Sequence, residues 1–119
     1  MRNPAVKNFS TSAAIIQLVC SHFGVTIAQL ENHCRRWAII WPRWCAIALI
    51  KRHTSYSTDQ IAALFGMTHG TVLWAIKGVE DQRETDPAAG RELAALESQC
   101  QSLLGLHRAI TKNSLTLQS

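Results

Sequence analysis

The 119-residue chain is short of charged residues, of strand signals and, over one long stretch, of acid. Between Glu31 and Asp59 there is no aspartate or glutamate, while Arg35, Arg36, Arg43, Lys51 and Arg52 fall inside the gap, flanked by His33 and His53. The cysteines, Cys20, Cys34, Cys45 and Cys100, lie far apart and form no C-x-x-C pair, so they read as small buried apolar residues of a reducing compartment. A cytoplasmic location is the expectation. The most apolar run, Trp37 to Ile50, is too short for a bilayer and is broken by Pro42-Arg43, which excludes a membrane span there. Arg2 and Lys7 precede an apolar run from Ala13 to Cys20, but that run contains Gln17 and lacks a small-x-small cleavage site, so it is not a secretory signal. A G-x-x-x-x-G-K-[ST] phosphate loop is also missing, and with it any expectation of a nucleotide cofactor.

What is present suits one compact helical domain. Hydrophobic residues make up 47% of the chain and charged residues 17%, enough apolar material for a real core. The net charge of +4 and a pI near 9.2 favour a polyanionic partner. A second charge block, Glu80, Asp81, Glu84, Asp86, Glu92 and Glu97 against Arg83 and Arg91, is expected to point away from such a partner, making the fold electrically two-sided.

Helix start and stop signals recur along the chain, so the fold class is all-α. One of Ser10, Thr11 and Ser12 is expected to cap a first helix carrying Ile15, Ile16, Val19 and Phe23 on one face, with Gly24 as its left-handed stop. Thr26 caps a short second helix to about His33, with Ile27 and Leu30 inward. Arg35 to Trp41 then reads as a basic, aromatic connection, and Pro42 as the first turn of a buried third helix. Asp86 and Pro87 open a last helix whose Leu93, Leu96, Cys100, Leu103 and Leu104 close the core. Its spacing also suits a dimer contact, particularly through Gly105 to Ile110. The domain is expected over 12–104, with a flexible tail at 1–11 and a tail or helix extension at 105–119.

Between these lies the most informative segment. Ser57 with Gln60 forms a capping box, Gly66 ends the helix it opens, and Thr68 caps a new helix running to about Arg83 with Val72, Ala75, Ile76 and Val79 inward. Two short helices across so tight a turn are the helix-turn-helix arrangement. Counted from Thr58, the pattern asks for apolar residues at the fourth, eighth, tenth and fifteenth places, a small one fifth and glycine ninth; Ile61, Phe65, Met67, Val72, Ala62 and Gly66 supply them. Ala62 permits close helix crossing and Gly66 the positive φ of the turn. An ordinary helical hairpin with the same core spacing is the plainer alternative.

The run Arg35-Arg36, Pro42-Arg43, the buried helix, Ile61-Ala62-Ala63-Leu64-Phe65-Gly66 and His69-Gly70-Thr71-Val72 resembles the C-terminal DNA-binding domain of the bacterial replication initiator DnaA, over about Ser12 to Leu104. The resemblance implies a Trp-repressor-like helix-turn-helix fold and monomeric binding of double-stranded DNA. By position it implies that Arg35 enters the minor groove, that Arg43 meets a phosphate, and that His69 and Thr71 keep part of the recognition signature. The chain departs from the family in having Thr68 in place of aspartate, Gly70 in place of serine or threonine, and Trp37 and Trp41 in place of polar or basic loop residues. The implied outcome is a changed or relaxed sequence preference. Without an ATPase domain the chain is either an excised domain or a small stand-alone relative such as a regulator on a phage or mobile element; Met1 and the polar tail from Thr111 favour the latter.

The expected division of labour follows from chemistry. Arg35, Arg36, Arg43, Lys51, Arg52 and Lys77 neutralise phosphates, whereas Thr68, His69, Gly70, Thr71, Trp74 and Lys77 form the base-reading set, His69 toward guanine acceptors and Thr71 through its methyl toward thymine. Gly70 lends backbone approach without a side chain. Each feature has a duller reading: a solvated basic loop, tryptophans that only pack, His53 and His107 as surface residues. The zinc-type residues Cys20, His22, His33 and Cys34 have the wrong spacing for a metal loop, and no carboxylate pair or nucleophile elbow suggests an enzyme. The alternative to a DNA module is a helical protein-interaction module that docks a replication or regulatory partner through loop tryptophans.

Overall fold

The computed structural model describes the backbone of residues 4–32 and 35–118 and the side chains of residues 11–32 and 35–105. Among the described residues there are six helices and no strand: α1 (Pro4–Phe23), α2 (Ile27–Glu31), α3 (Trp37–His53), α4 (Thr58–Phe65), α5 (His69–Thr85) and α6 (Pro87–Gln118). The all-α expectation holds. Helix α3 is the centre: α1, α2, α4, α5 and α6 all pack on it, and its Cys45, Ala46, Ile47, Leu49 and Ile50 are buried.

The short helices are held by their caps. Thr26 Oγ1 accepts from the Gln29 amide at 3.0 Å while Gln29 Oε1 accepts from the Thr26 amide at 2.8 Å, a reciprocal box that stabilises a five-residue helix unable to persist alone. Ser57 and Gln60 repeat the arrangement at α4, at 3.1 and 2.8 Å. Gly66 closes α4 in the left-handed region at φ +65°, and Asp86 Oδ1 accepts from the Ala88 amide at the start of α6. Glycine is required at residue 66, since any side chain there costs roughly 1–2 kcal/mol of backbone strain.

Several local expectations are corrected. Helix α1 begins at Pro4, so Ser10 to Ser12 lie inside it rather than capping it; Ser12 is buried, and its hydroxyl donates to Tyr56 Oη at 3.4 Å. Ile27, expected inward, is 41% exposed, and only Leu30 of α2 enters the core. Trp37 to Trp41 is helix, not connection, so Pro42 stands inside α3. The backbone bond that Pro42 cannot donate would have gone to the carbonyl of Ala38, an exposed residue, which leaves that group to water. His53, expected on the surface, is largely covered, its side chain 13% exposed and bonded to Glu97 at 2.7 Å. His33, Cys34 and His107 lie outside the described residues or side chains.

Two members of the acidic block, Glu92 and Glu97, are engaged between helices. Glu92 of α6 accepts from Trp41 Nε1 at 2.9 Å and sits 3.3 Å from His22 Nε2; Glu97 meets both His53 and Arg52, the latter at 3.1 Å. These two carboxylates fasten α6 to α1 and α3, above a buried contact through Leu93, Leu96 and Cys100. Each fully buried leucine in such a seam contributes about 1.5–3 kcal/mol. Cys20, Cys45 and Cys100 are free and buried. No described helix is long and apolar enough to cross a membrane.

Candidate nucleic-acid interface

Helices α4 and α5 pack on each other and on α3 across the Gly66 turn. All six positions of the helix-turn-helix pattern sit as packing demands: Ile61, Ala62, Phe65 and Val72 are buried, Met67 is half-buried against the core, and Gly66 takes the positive φ. Val72, Ala75 and Val79 turn α5 inward. That anchoring leaves His69, Gly70, Thr71, Leu73, Trp74 and Lys77 exposed.

Local bonds shape this surface. Thr68 caps α5, its Oγ1 accepting from the Thr71 amide at 3.2 Å and lying 2.9 Å from the Thr71 hydroxyl. Both threonine hydroxyls are therefore engaged with each other. His69 Nδ1 lies 2.7 Å from Asp59 Oδ1, a contact between the first turns of α5 and α4. Sequence reasoning missed Asp59, for which the only available signal was an acid in the first turn of a capped helix ten residues before His69. Lys77 makes a loose pair with Asp81 at 3.7 Å. Trp74 is 67% exposed.

The basic residues divide into three groups. Arg35 and Arg36 are exposed just before α3. Arg43 is half-buried and turned inward: its Nε donates to the Leu30 carbonyl at 2.7 Å and its Nη2 to the Asn32 carbonyl, which ties the end of α2 to α3. Lys51 and Arg52 sit at the far end of α3, bordering a groove of about 320 Å³ between α3, α5 and α6 that lies on a different flank of α5 from Trp74. Arg52 is held there by Glu97. The structure thus brings Thr68, His69, Gly70, Thr71, Trp74 and Lys77 together on α5, and separates Lys51 and Arg52 from them.

The tryptophans also divide. Trp41 is 7% exposed and bonded to Glu92, whereas Trp37 is 50% exposed, stacked on Trp41 with ring centroids 5.8 Å apart and edge-on to Trp44 at 5.5 Å. Trp44 lies over Gly78 of α5, where a Cβ would fall 2.2 Å from its ring. That close approach lets α5 settle against α3 and places Trp44 at the floor of a groove of about 170 Å³ shared with Trp74 and Lys77. Burial pushes the thiol of Cys45 strongly up, Glu92 adding to the effect, and moves Cys100 up to about 11 and Cys20 upward as well. Burial in this way disfavours the thiolate, the reactive form, at all three. Among the described residues no three His, Cys, Asp or Glu side chains converge as a metal site.

Comparison with known proteins agrees with this geometry. Residues 12–79 match the family described as bacterial DnaA protein helix-turn-helix. The chromosomal replication initiator protein DnaA of Bacteroides thetaiotaomicron is 33% identical over 71% of this chain, and that of Thermus thermophilus is 34% identical over 72%. The chain spans only 18% and 20% of the length of these two relatives. With more than half of its residues matched by the family, and with each turn and packing position of the motif in place, the chain belongs to the bacterial DnaA helix-turn-helix family.

Proposed function

We propose that this chain is a double-stranded DNA-binding module acting in replication or transcription control, with α5 as its major-groove helix and Arg35 and Arg36 as its minor-groove and backbone contacts. The observation that carries the reading is the exposed face of α5 from His69 to Lys77, held outward by buried Val72, Ala75 and Val79. His69 and Thr71 occupy the first turn, where helix-turn-helix proteins contact base edges. With Nδ1 turned to Asp59, His69 presents Nε2 to a base; with its hydroxyl turned to Thr68, Thr71 presents its methyl, the group suited to thymine. Gly70 adds no side chain between them.

Phosphate contacts come from Arg35, Arg36 and Lys77, while Arg43 braces the Arg35 loop by holding the end of α2. Lys51 and Arg52 contribute through the field rather than by contact on this flank. The module needs no nucleotide and binds as a monomer. Sequence preference is relaxed relative to the initiators, because a glycine and an engaged threonine stand where polar readers would each supply about 1–3 kcal/mol of discrimination.

The test is selection from a randomised duplex pool at low and moderate salt, beside Arg35→Ala. The expected result is one short enriched motif, weakened by Arg35→Ala, with a log–log salt slope of roughly −3, as three phosphate contacts give. No enrichment, with affinity that barely responds to salt, would overturn the reading.

A further inference from the structure

We propose that the tryptophan band running from Trp37 through Trp44 to Trp74 is a stacking site for the unpaired bases of single-stranded DNA. Trp37 and Trp74 are the two most exposed large hydrophobic side chains among the described residues. Trp37 touches Trp44, and Trp44 shares a groove with Trp74, so the band bridges the basic segment before α3 and the outward face of α5. Leaving such large apolar rings in water is unfavourable, and rings gathered on one surface mark a binding site.

The chemistry selects the occupant. In an intact duplex the base faces are covered by their neighbours and only edges are offered in the grooves, so a flat indole finds no ring plane there. Unpaired bases offer planes, and indole stacking on them is tolerant of sequence. Two of the rings are also pre-set. Trp37 is stacked on Trp41 and perpendicular to Trp44, and Trp44 is seated over Gly78, so these two have little side-chain freedom left to lose on binding. Charge agrees with a polyanion: Arg35 and Arg36 directly precede Trp37, and Lys77 follows Trp74 by one turn. Asp81, the carboxylate on this groove, pairs loosely with Lys77, so the net positive charge of the band lies at the Arg35–Arg36 end. The surface overlaps the one proposed for duplex, so single and double strands compete for it.

The experiment measures tryptophan fluorescence and affinity of the whole chain with an oligo-dT strand, with an abasic strand of equal length and charge, and with duplex, at low salt. Variants are Trp37→Leu, Trp74→Leu and Trp37→Phe, with circular dichroism as the check on folding. Oligo-dT is expected to quench the indoles and to bind roughly ten-fold or more tightly than the abasic strand; each leucine variant loses roughly ten-fold, and Trp37→Phe recovers most of it. Equal affinity for oligo-dT and abasic strands, or leucine variants that remain folded and bind oligo-dT as the parent does, would overturn the inference. Duplex binding without oligo-dT binding overturns this inference alone. Failure on both nucleic acids overturns the duplex reading too, and leaves the rings to a protein partner.

Discussion

Gly78→Ala isolates the contact that sets α5 against α3. In an exposed helix interior alanine is favoured over glycine by about 1 kcal/mol, so the change should stabilise the domain if propensity alone decided. The site is not open. An added Cβ falls 2.2 Å from Trp44 Cζ3 and 2.7 Å from Cε3 and Cη2, more than an ångström inside ordinary contact at the closest atom. Trp44 cannot swing away freely, because its ring is half-buried and packs perpendicular to Trp37, with centroids 5.5 Å apart. Overpacking of this kind costs about 1–3 kcal/mol, which exceeds the propensity gain and predicts a net loss of about 1 kcal/mol. For a domain of this size the melting temperature should fall by about 4 °C. Thermal unfolding followed by circular dichroism measures it, and a double-mutant cycle assigns the cause. In a Trp44→Leu background the ring is gone, so Gly78→Ala should then raise the melting temperature. A rise in the parent background, with Trp44 intact, would refute the argument.

Four further outcomes are expected. Cys20, Cys45 and Cys100 should stay inert to a thiol reagent near pH 8 in the native protein and react only on unfolding. With Cys100 raised from 9.0 to about 11, stability is unaffected below pH 9 and declines as pH rises from there toward 11, since only the unfolded thiol can release its proton; a stability flat across that window in urea titrations would contradict the burial. Glu97→Ala should cost about 1–3 kcal/mol in denaturant unfolding by leaving the covered His53 without its carboxylate, and a loss below a few tenths would show the pair to be idle. Asp59→Ala should free the His69 ring and flatten the base preference in the selection experiment while barely changing the melting temperature, as expected of an exposed pair.

The helix-turn-helix was legible because its signals are local. Capping hydroxyls at Ser57 and Thr68, the Gln60 partner and the Gly66 stop act within a few residues and survive in any tertiary context. The start of α3 was not, because it depends on contacts distant in sequence. Proline is most at home in a first turn, which pointed to Pro42 as the beginning. Instead Trp37, Trp41 and Trp44 fall on one side of a helix, Trp37 stacked on Trp41 and perpendicular to Trp44, and Trp41 finds Glu92 fifty-one residues away; this outweighs the one backbone bond that Pro42 forgoes. The same limit explains His53, whose cover comes from Glu97; Ile27 shares a helix face with Leu30, and nothing in that local period marked it as lying beyond the core. At the site, the exposed face of α5 followed from its helical period. The inward role of Arg43 did not, since carbonyls at the end of a neighbouring helix carry no mark in the sequence.

Glu92 and Glu97 have a consequence for how the molecule is made. They lie on a helix that leaves the ribosome after the other five, beyond the segment that the family match covers, yet they supply the acceptors for Trp41, His22, Arg52 and His53. Until α6 is synthesised, the helix-turn-helix stands with an open apolar seam where Leu93, Leu96 and Cys100 will sit, and with an indole and two imidazoles lacking their carboxylates. The helix-turn-helix segment by itself therefore lacks the acceptors and the apolar cover that α6 brings. A fragment cut at the motif's edge would keep every residue proposed to read DNA and lose the helix that holds them in place.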